Sequence, residues 1–308
     1  MSNRVLILGG SGFIGTHLTK YLVDAGFNVK ILARSGRSLS NSESFIDRVE
    51  VVFGDYQDEF VLRSIFSEID IVVHLVTTTY PQTSIHSGIY DVQTNLIPTI
   101  RLLEECERSG IRKLIYLSSG GTVYGEPQEL PITEEHPLDP SSIYGSSKKL
   151  IESYMDFFQK NCGFSVATLR VSNPYGPGQN PMGLQGLVAA ACSILINSKI
   201  FTVLGDGSAT RDYLYIDDLV RAIFLAIENT KSIKPNISSG VESSVSDILE
   251  ILQNISSKDF SLKFVDSPPG YVHRNVLSSQ KAARVLNWKP KVDLQEGLSR
   301  TWSSAAHT

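Results

Sequence analysis

An α/β fold, with a doubly wound parallel sheet and a smaller C-terminal domain, is what this 308-residue sequence predicts. Three observations carry that expectation. Short apolar runs at 4–8, 29–33, 49–53, 70–76, 113–117 and 166–170 alternate with helical patterns near 13–25, 58–68, 89–109 and 144–161. That order builds parallel strands with helices on both faces. The first run leads directly into Gly9-Gly10-Ser11-Gly12-Phe13-Ile14-Gly15 and then into an amphipathic stretch with Leu18, Tyr21 and Leu22 at helical spacing. Past residue 172 the rhythm changes: a loop from Asn173 to Gly178, a helix, a short strand from Phe201 to Leu204, then short helices mixed with Pro268-Pro269-Gly270.

The glycines at 9, 12 and 15 each have a physical task. One lets the chain turn tightly, one lets the backbone approach a pyrophosphate, and one allows close helix–strand packing. The following helix N-terminus offers N–H groups and a positive dipole end to phosphates, so Ser11, Phe13 and Ile14 join the glycines as candidate cofactor contacts. The first domain is therefore Rossmann-like and binds a dinucleotide. It is expected to span 1–172 plus about 211–238, with the second domain at about 173–210 and 239–308. The second strand ends in Ala33-Arg34, with Ser35 and Arg37 behind it, where an NAD site usually carries Asp or Glu for the ribose 2′-hydroxyl. The missing acid leaves NAD and NADP both open. After the third strand, Gly54-Asp55-Tyr56 sets a carboxylate where an adenine amino group is read.

Composition excludes several classes. A net charge of −4 gives no electrostatic case for nucleic acid or an anionic membrane surface. No run of 18 apolar residues occurs, and the first strand begins too early to leave room for a signal peptide. Cys106, Cys162 and Cys192 lack metal-ligand spacing and the six histidines show no HxxxH or HxH pair, so no metal is expected, and reduced thiols in the cytoplasm are.

Tyr144 and Lys148, in Tyr-Gly-Ser-Ser-Lys, carry the chemistry. Four residues apart on a helix, they share one face. An ammonium beside a phenol favours the phenolate, lowering a pKa that is ordinarily about 10. Such a tyrosine takes the proton from a sugar hydroxyl while a hydride leaves the same carbon. Lowering the phenol by about three units requires roughly 4 kcal/mol, which the lysine and an oxidised nicotinamide are expected to supply together.

With these parts assembled, the whole chain resembles the extended short-chain dehydrogenase/reductase family, and within it the nucleotide-sugar epimerases of the UDP-galactose 4-epimerase type. The landmarks are GGSGFIG (9–15), GDY (54–56), HL (74–75), Asn95, LSSGGTVYG (117–125), YGSSK (144–148), RVSNPYGPGQ (170–179), GDGSATRDYLYIDDLVRAI (205–223) and LNWKP (286–290). The resemblance implies a tightly bound NAD or NADP, a UDP-sugar substrate and a homodimer. It implies cofactor contacts from Leu75, Asn95 and Ser118 as well as Tyr144 and Lys148, and substrate contacts from Asn173, Gln185 and Arg211. Tyr144 would take the C4 hydroxyl proton, and the 4-keto sugar would turn and be reduced on its other face.

The sequence departs from the family twice. The catalytic Ser or Thr, four residues before the VYG tyrosine, falls on Gly120, so Ser119 and Thr122 are taken jointly as its replacement. The RPGD-like loop reads Pro268-Pro269-Gly270-Tyr271, so Arg274 is taken as the substitute diphosphate contact. A dehydratase is disfavoured, because no carboxylate lies between Ser118 and Gly125. The rivals are an NADPH-dependent nucleotide-sugar reductase and, from another class, a dinucleotide-sensing module without turnover. Thr77-Thr78-Thr79 either lines the sugar pocket or caps its loop, His74 is read as structural, and Asp217-Asp218 as a helix cap.

Overall fold

The computed structural model describes residues 4–34, 45–80, 88–183, 186–267 and 272–307. Seven parallel strands form the main sheet: β1 (Arg4–Leu8), β2 (Asn28–Ala33), β3 (Glu50–Phe53), β4 (Ile71–His74), β5 (Lys113–Ser119), β6 (Ser165–Val171) and β10 (Asn236–Ile237). Their order is β10-β6-β5-β4-β1-β2-β3, and it reverses direction between β1 and β4. That reversal opens a crevice at the carboxyl ends of those two strands, where ligands bind in such sheets.

The strands are buried on both faces. Val5, Ile7, Val73 and Ile115 belong to one core cluster, while Leu6, Leu8, Val72 and Leu114 belong to the other. This two-sided burial explains why the strands read as continuous apolar runs. β10 escaped sequence analysis because two residues carry no period.

Two small sheets follow. β7 (Asn173–Tyr175), β9 (Thr210–Tyr215) and β11 (Glu242–Ser244) form one, and β8 (Ile200–Leu204) pairs with β12 (Ser261–Val265) in the other. The segment 275–278 does not join either sheet. It zips onto residues 130–133 through Ile132 N–H to the Val276 carbonyl (2.8 Å) and Ser278 N–H to the Ile132 carbonyl (2.8 Å). Leu277 there packs with Val123, Tyr124 and Ile132 in a third core cluster.

The helical pattern expected at 89–109 is interrupted. A turn at Gly88–Asp91 passes through a π-helical stretch, Val92–Leu96, before the α-helix Ile97–Arg108. Pro98 explains the break, since it has no N–H for the carbonyl one turn earlier. The Thr94 carbonyl accepts the Tyr56 hydroxyl instead, at 2.5 Å. Asp217-Asp218 correct another expectation. The Ile216–Glu228 helix has no side-chain cap. Asp218 is buried, accepts from the Lys291 and Val292 N–H groups at 2.8 and 2.9 Å, and pairs with Arg221 at 2.7 Å, so it ties down the chain after Trp288.

Candidate active site

The glycine turn is built as the spacing requires. Gly9 adopts φ +86°, and a β-carbon on Gly15 would lie 2.2 Å from the Gly9 carbonyl oxygen. Gly12 caps the Phe13–Asp24 helix with no side-chain hydrogen bond, so the first helical N–H groups have only the cleft before them. Gly9, Ser11, Gly12, Phe13, Ile14 and Gly15 line one wall of a cleft of about 1160 Å³, and Arg34, Asp55, Tyr56 and Leu75 line it with them. The opposite wall includes Pro177 and Gln179, and His17 bonds across to the Pro177 carbonyl at 2.9 Å. These residues fit an elongated dinucleotide: a tight turn, uncapped N–H groups for phosphate, and a carboxylate at Asp55 toward the far end. Arg34 is exposed beside Ala33.

Tyr144 and Lys148 enter from the Ile143–Asn161 helix, capped by the Ser142 hydroxyl on the Gly145 N–H at 3.1 Å. Gly145 lets this helix close onto the catalytic loop, because a β-carbon there would stand 2.6 Å from the Thr122 carbonyl. Both side chains are buried. Lys148 Nζ donates to the Leu117 carbonyl at 3.0 Å and lies 4.8 Å from the Tyr116 ring centroid and 5.7 Å from that of Tyr144.

The protein's own electrostatics oppose the ionised phenol. Burial pushes Tyr144 well above the ordinary phenol value, Tyr80 and Asp91 add to the rise, and Ser119 opposes it. Burial also pulls Lys148 down to about 8, against Asp91 and Glu152. A desolvated ammonium almost 6 Å from the ring does not by itself hold the phenol ionised. The expectation that an oxidised nicotinamide would act together with the lysine is in keeping with this burial.

Of the two hydroxyls that flank Gly120, Ser119 is the one against Tyr144, where it favours the ionised phenol. Thr122 Oγ1 turns back to the Ser119 carbonyl at 3.5 Å. At Gly120 a β-carbon would come within 2.3 Å of Leu277 Cδ1, so a larger residue there would require that leucine to shift. Ser119→Ala is expected to lower turnover by about 10²–10³, as for loss of one donor to a developing oxyanion, whereas Thr122→Val keeps parental turnover. Steady-state rates of the two variants distinguish them.

Several expected contacts are committed elsewhere. Ser118 donates its hydroxyl to Glu152 at 2.6 Å, on the other side of β5 from Ser119. Asn95 accepts from the Thr78 N–H (2.9 Å) and donates to Thr79 Oγ1 (3.1 Å), pinning the loop after β4. The three threonines belong to that loop: Thr78 Oγ1 meets Thr94 Oγ1 at 2.6 Å and Thr79 donates to Asp91. His74 is buried, its Nε2 3.1 Å from Thr99 Oγ1, and burial drives it down to about 3, so it stays neutral.

Asn173 and Arg211 come together on the β7–β9 sheet. Asn173 Nδ2 donates to the Asp212 carbonyl at 3.1 Å, and Arg211 Nη1 to the Thr210 carbonyl at 2.7 Å. Arg274 stands at the same edge but grips Glu242 through two bonds of 2.7 Å, which draws that carboxyl down to about 2. Those bonds use Nε and Nη2 and leave Nη1 out of the pairing. Gln185 and Pro268 to Tyr271 lie outside the described residues. Sequence analysis missed Asp91 and Tyr116, which sit beneath Lys148. Neither carries a local sequence signal, because the packing of separate elements brings them together.

The chain belongs to the NAD dependent epimerase/dehydratase family, matched over residues 5–238. Within it, the chain is 31% identical to the UDP-glucose 4-epimerase of Mycolicibacterium smegmatis over 304 residues, 97% of each protein. It superposes on the crystal structure of Thermotoga maritima UDP-glucose 4-epimerase with UDP-glucose, with a TM-score of 0.93, 32% identity and 98% of each chain covered. The UDP-glucose 4-epimerase of Thermus thermophilus in complex with NAD gives a TM-score of 0.91 at 29% identity, again over 98% of each chain.

Proposed function

We propose that this protein is an NAD-dependent 4-epimerase of UDP-hexoses or their N-acetyl forms. The observation that carries this reading is Tyr144, held against the Ser119 hydroxyl and one helical turn from Lys148, at the carboxyl edge of a sheet whose first turn is a pyrophosphate cradle. NAD held by the residue 9–15 turn and Asp55 would supply the hydride-transfer chemistry at C4. Tyr144 Oη takes the C4 hydroxyl proton and gives it back, and Ser119 donates to the same sugar oxygen. Lys148 orients the cofactor and keeps positive charge near the phenol. Asn173 and Arg211, with a guanidinium fork suited to phosphate, hold the nucleotide end while the sugar turns.

The chain divides, in this reading, into the dinucleotide domain of 1–172 plus about 211–238 and a sugar-nucleotide domain formed by the rest. Leu150, Tyr154 and Phe157 stand exposed at i, i+4 and i+7, beside the exposed Ile89, Tyr90, Val92 and Ile97. That apolar face supports a homodimer through these two helices. No helix among the described residues is long and apolar enough to cross a membrane, and Cys106, Cys162 and Cys192 are free thiols, which suits a cytoplasmic enzyme.

Arg34, exposed where an NAD site usually carries an acid, supports the second reading, an NADPH-dependent reductase. One experiment separates the two. Denaturing the purified protein should release NAD, and the native protein should interconvert UDP-glucose and UDP-galactose, or their N-acetyl forms, without added cofactor. A protein that turns over only with added NADPH is the reductase, and one that binds a dinucleotide without turnover is neither.

A further inference from the structure

Beneath Lys148, between β4, β5 and the helices that carry Asp91 and Tyr144, lies a recess of about 10 Å³, room for a single water. Three fully buried polar atoms on its lining residues have no hydrogen-bond partner among the described residues: Asp91 Oδ1, His74 Nδ1 and Tyr116 Oη. Buried polar groups are nearly always satisfied, so three orphans around one small recess describe a coordination shell.

The hydrogen bonds around the recess fix the role of each atom. Thr99 donates its hydroxyl proton to the Asn95 carbonyl at 2.6 Å, so its oxygen accepts from His74 Nε2. His74 therefore carries its proton on Nε2 and presents a bare Nδ1 to the recess. Asp91 Oδ1 is likewise an acceptor, since Oδ2 receives Thr79. Tyr116 supplies a donor. A water that donates to Asp91 and His74 and accepts from Tyr116 makes three bonds, the usual number for a buried water.

We infer that this recess is a built water site and that Asp91, through that water, is a positioning residue for the Tyr144–Lys148 pair. The assignment to catalysis rests on the epimerase reading above. Lys148 Nζ sits over the Tyr116 ring, so anchoring the Tyr116 hydroxyl fixes the floor on which the ammonium rests. Asp91 also supplies the negative charge that opposes the effect of burial on Lys148. The other titratable groups facing this centre are Tyr56 after β3, His74 on β4, Tyr80 in the following loop, Tyr116 on β5, and Tyr144 and Glu152 on the helix of Lys148. His74 is neutral throughout the working range, and the remaining tyrosines apart from Tyr144 are not needed ionised.

The test is Asp91→Asn in the NAD-loaded protein, which preserves shape and removes charge. A nearby carboxylate raises the proton affinity of both phenol and ammonium, so its loss should move both limbs of the pH–rate profile toward acid, by about one unit. The maximal rate should fall by about tenfold while KM for the UDP-sugar stays within about twofold, as for a group acting on the catalytic pair rather than on binding. A profile that keeps its position, or a rise in KM alone, overturns the proposal. A high-resolution crystal structure of the parent decides independently, including where Asp91→Asn fails to fold. One ordered water within hydrogen-bond distance of all three atoms is expected, and a recess without it overturns the assignment. That observation needs no turnover, so failure of the parent to epimerise would strike the proposed function and leave the water site to be judged separately.

Discussion

Tyr144→Phe should abolish almost all interconversion of UDP-glucose and UDP-galactose, or of the N-acetyl forms, while the bound nucleotide is retained. Tyr144 is the only described residue that joins the Ser119 hydroxyl, the Lys148 helix face and the carboxyl edge of β5. Removing a positioned acid–base group costs about 10²–10⁴ in rate, or roughly 3–5 kcal/mol of transition-state stabilisation. Cofactor content should not change, because the pyrophosphate cradle at residues 9–15 and the adenine end at Asp55 lie elsewhere in the cleft. The measurement is a pair: turnover in a coupled assay, and the nucleotide released on denaturation. A variant with parental turnover would remove Tyr144 from the chemistry.

Glu152→Ala is the substitution expected to cost most in stability. Glu152 and Arg170 form an ion pair at 2.7 Å with both side chains almost wholly buried, and Arg170 reaches on to the Tyr124 hydroxyl at 2.9 Å. Tyr124 donates to Asn236 at 2.7 Å, so the chain of bonds runs from the catalytic helix through β6 to β10. Deleting the carboxylate leaves a guanidinium buried without its counter-charge, at a cost of about 3–5 kcal/mol. Thermal unfolding should show a fall of about 5–8 °C in Tm. The double variant Glu152→Ala, Arg170→Met should recover much of that loss, because no charge then remains to be solvated. Lys234, 3.6 Å from Glu152 and partly exposed, keeps its closer partner Asp156 at 2.7 Å and contributes little to the difference. Ser118, which donates to Glu152, loses its acceptor in either variant, and Ser119 is its neighbour. A slower enzyme should therefore accompany the less stable one.

The fold and the heart of the site were legible because their signals are local. Alternating apolar runs, a strand followed by spaced glycines, and a tyrosine four residues before a lysine all declare themselves within a few positions. What the sequence did not convey depends on distant residues. Leu277, which packs close to Gly120, comes from far along the chain. The bond from Arg274 to Glu242 crosses between segments that no local pattern connects. Asn95 and Ser118 match the family pattern, and their bonds to the threonine loop and to Glu152 are made by other elements. Burial of the Tyr144–Lys148 pair was illegible for the same reason, since helical spacing conveys proximity but not the desolvation that the packed interior imposes on both groups.

The placement of Leu277 also has a consequence for how the enzyme comes into being. The Gly120 turn, next to Ser119, is covered by a leucine from far along the chain, in a segment that zips onto residues 130–133. The surroundings of the candidate site, begun in the first half of the chain, are therefore complete only when its last quarter has docked.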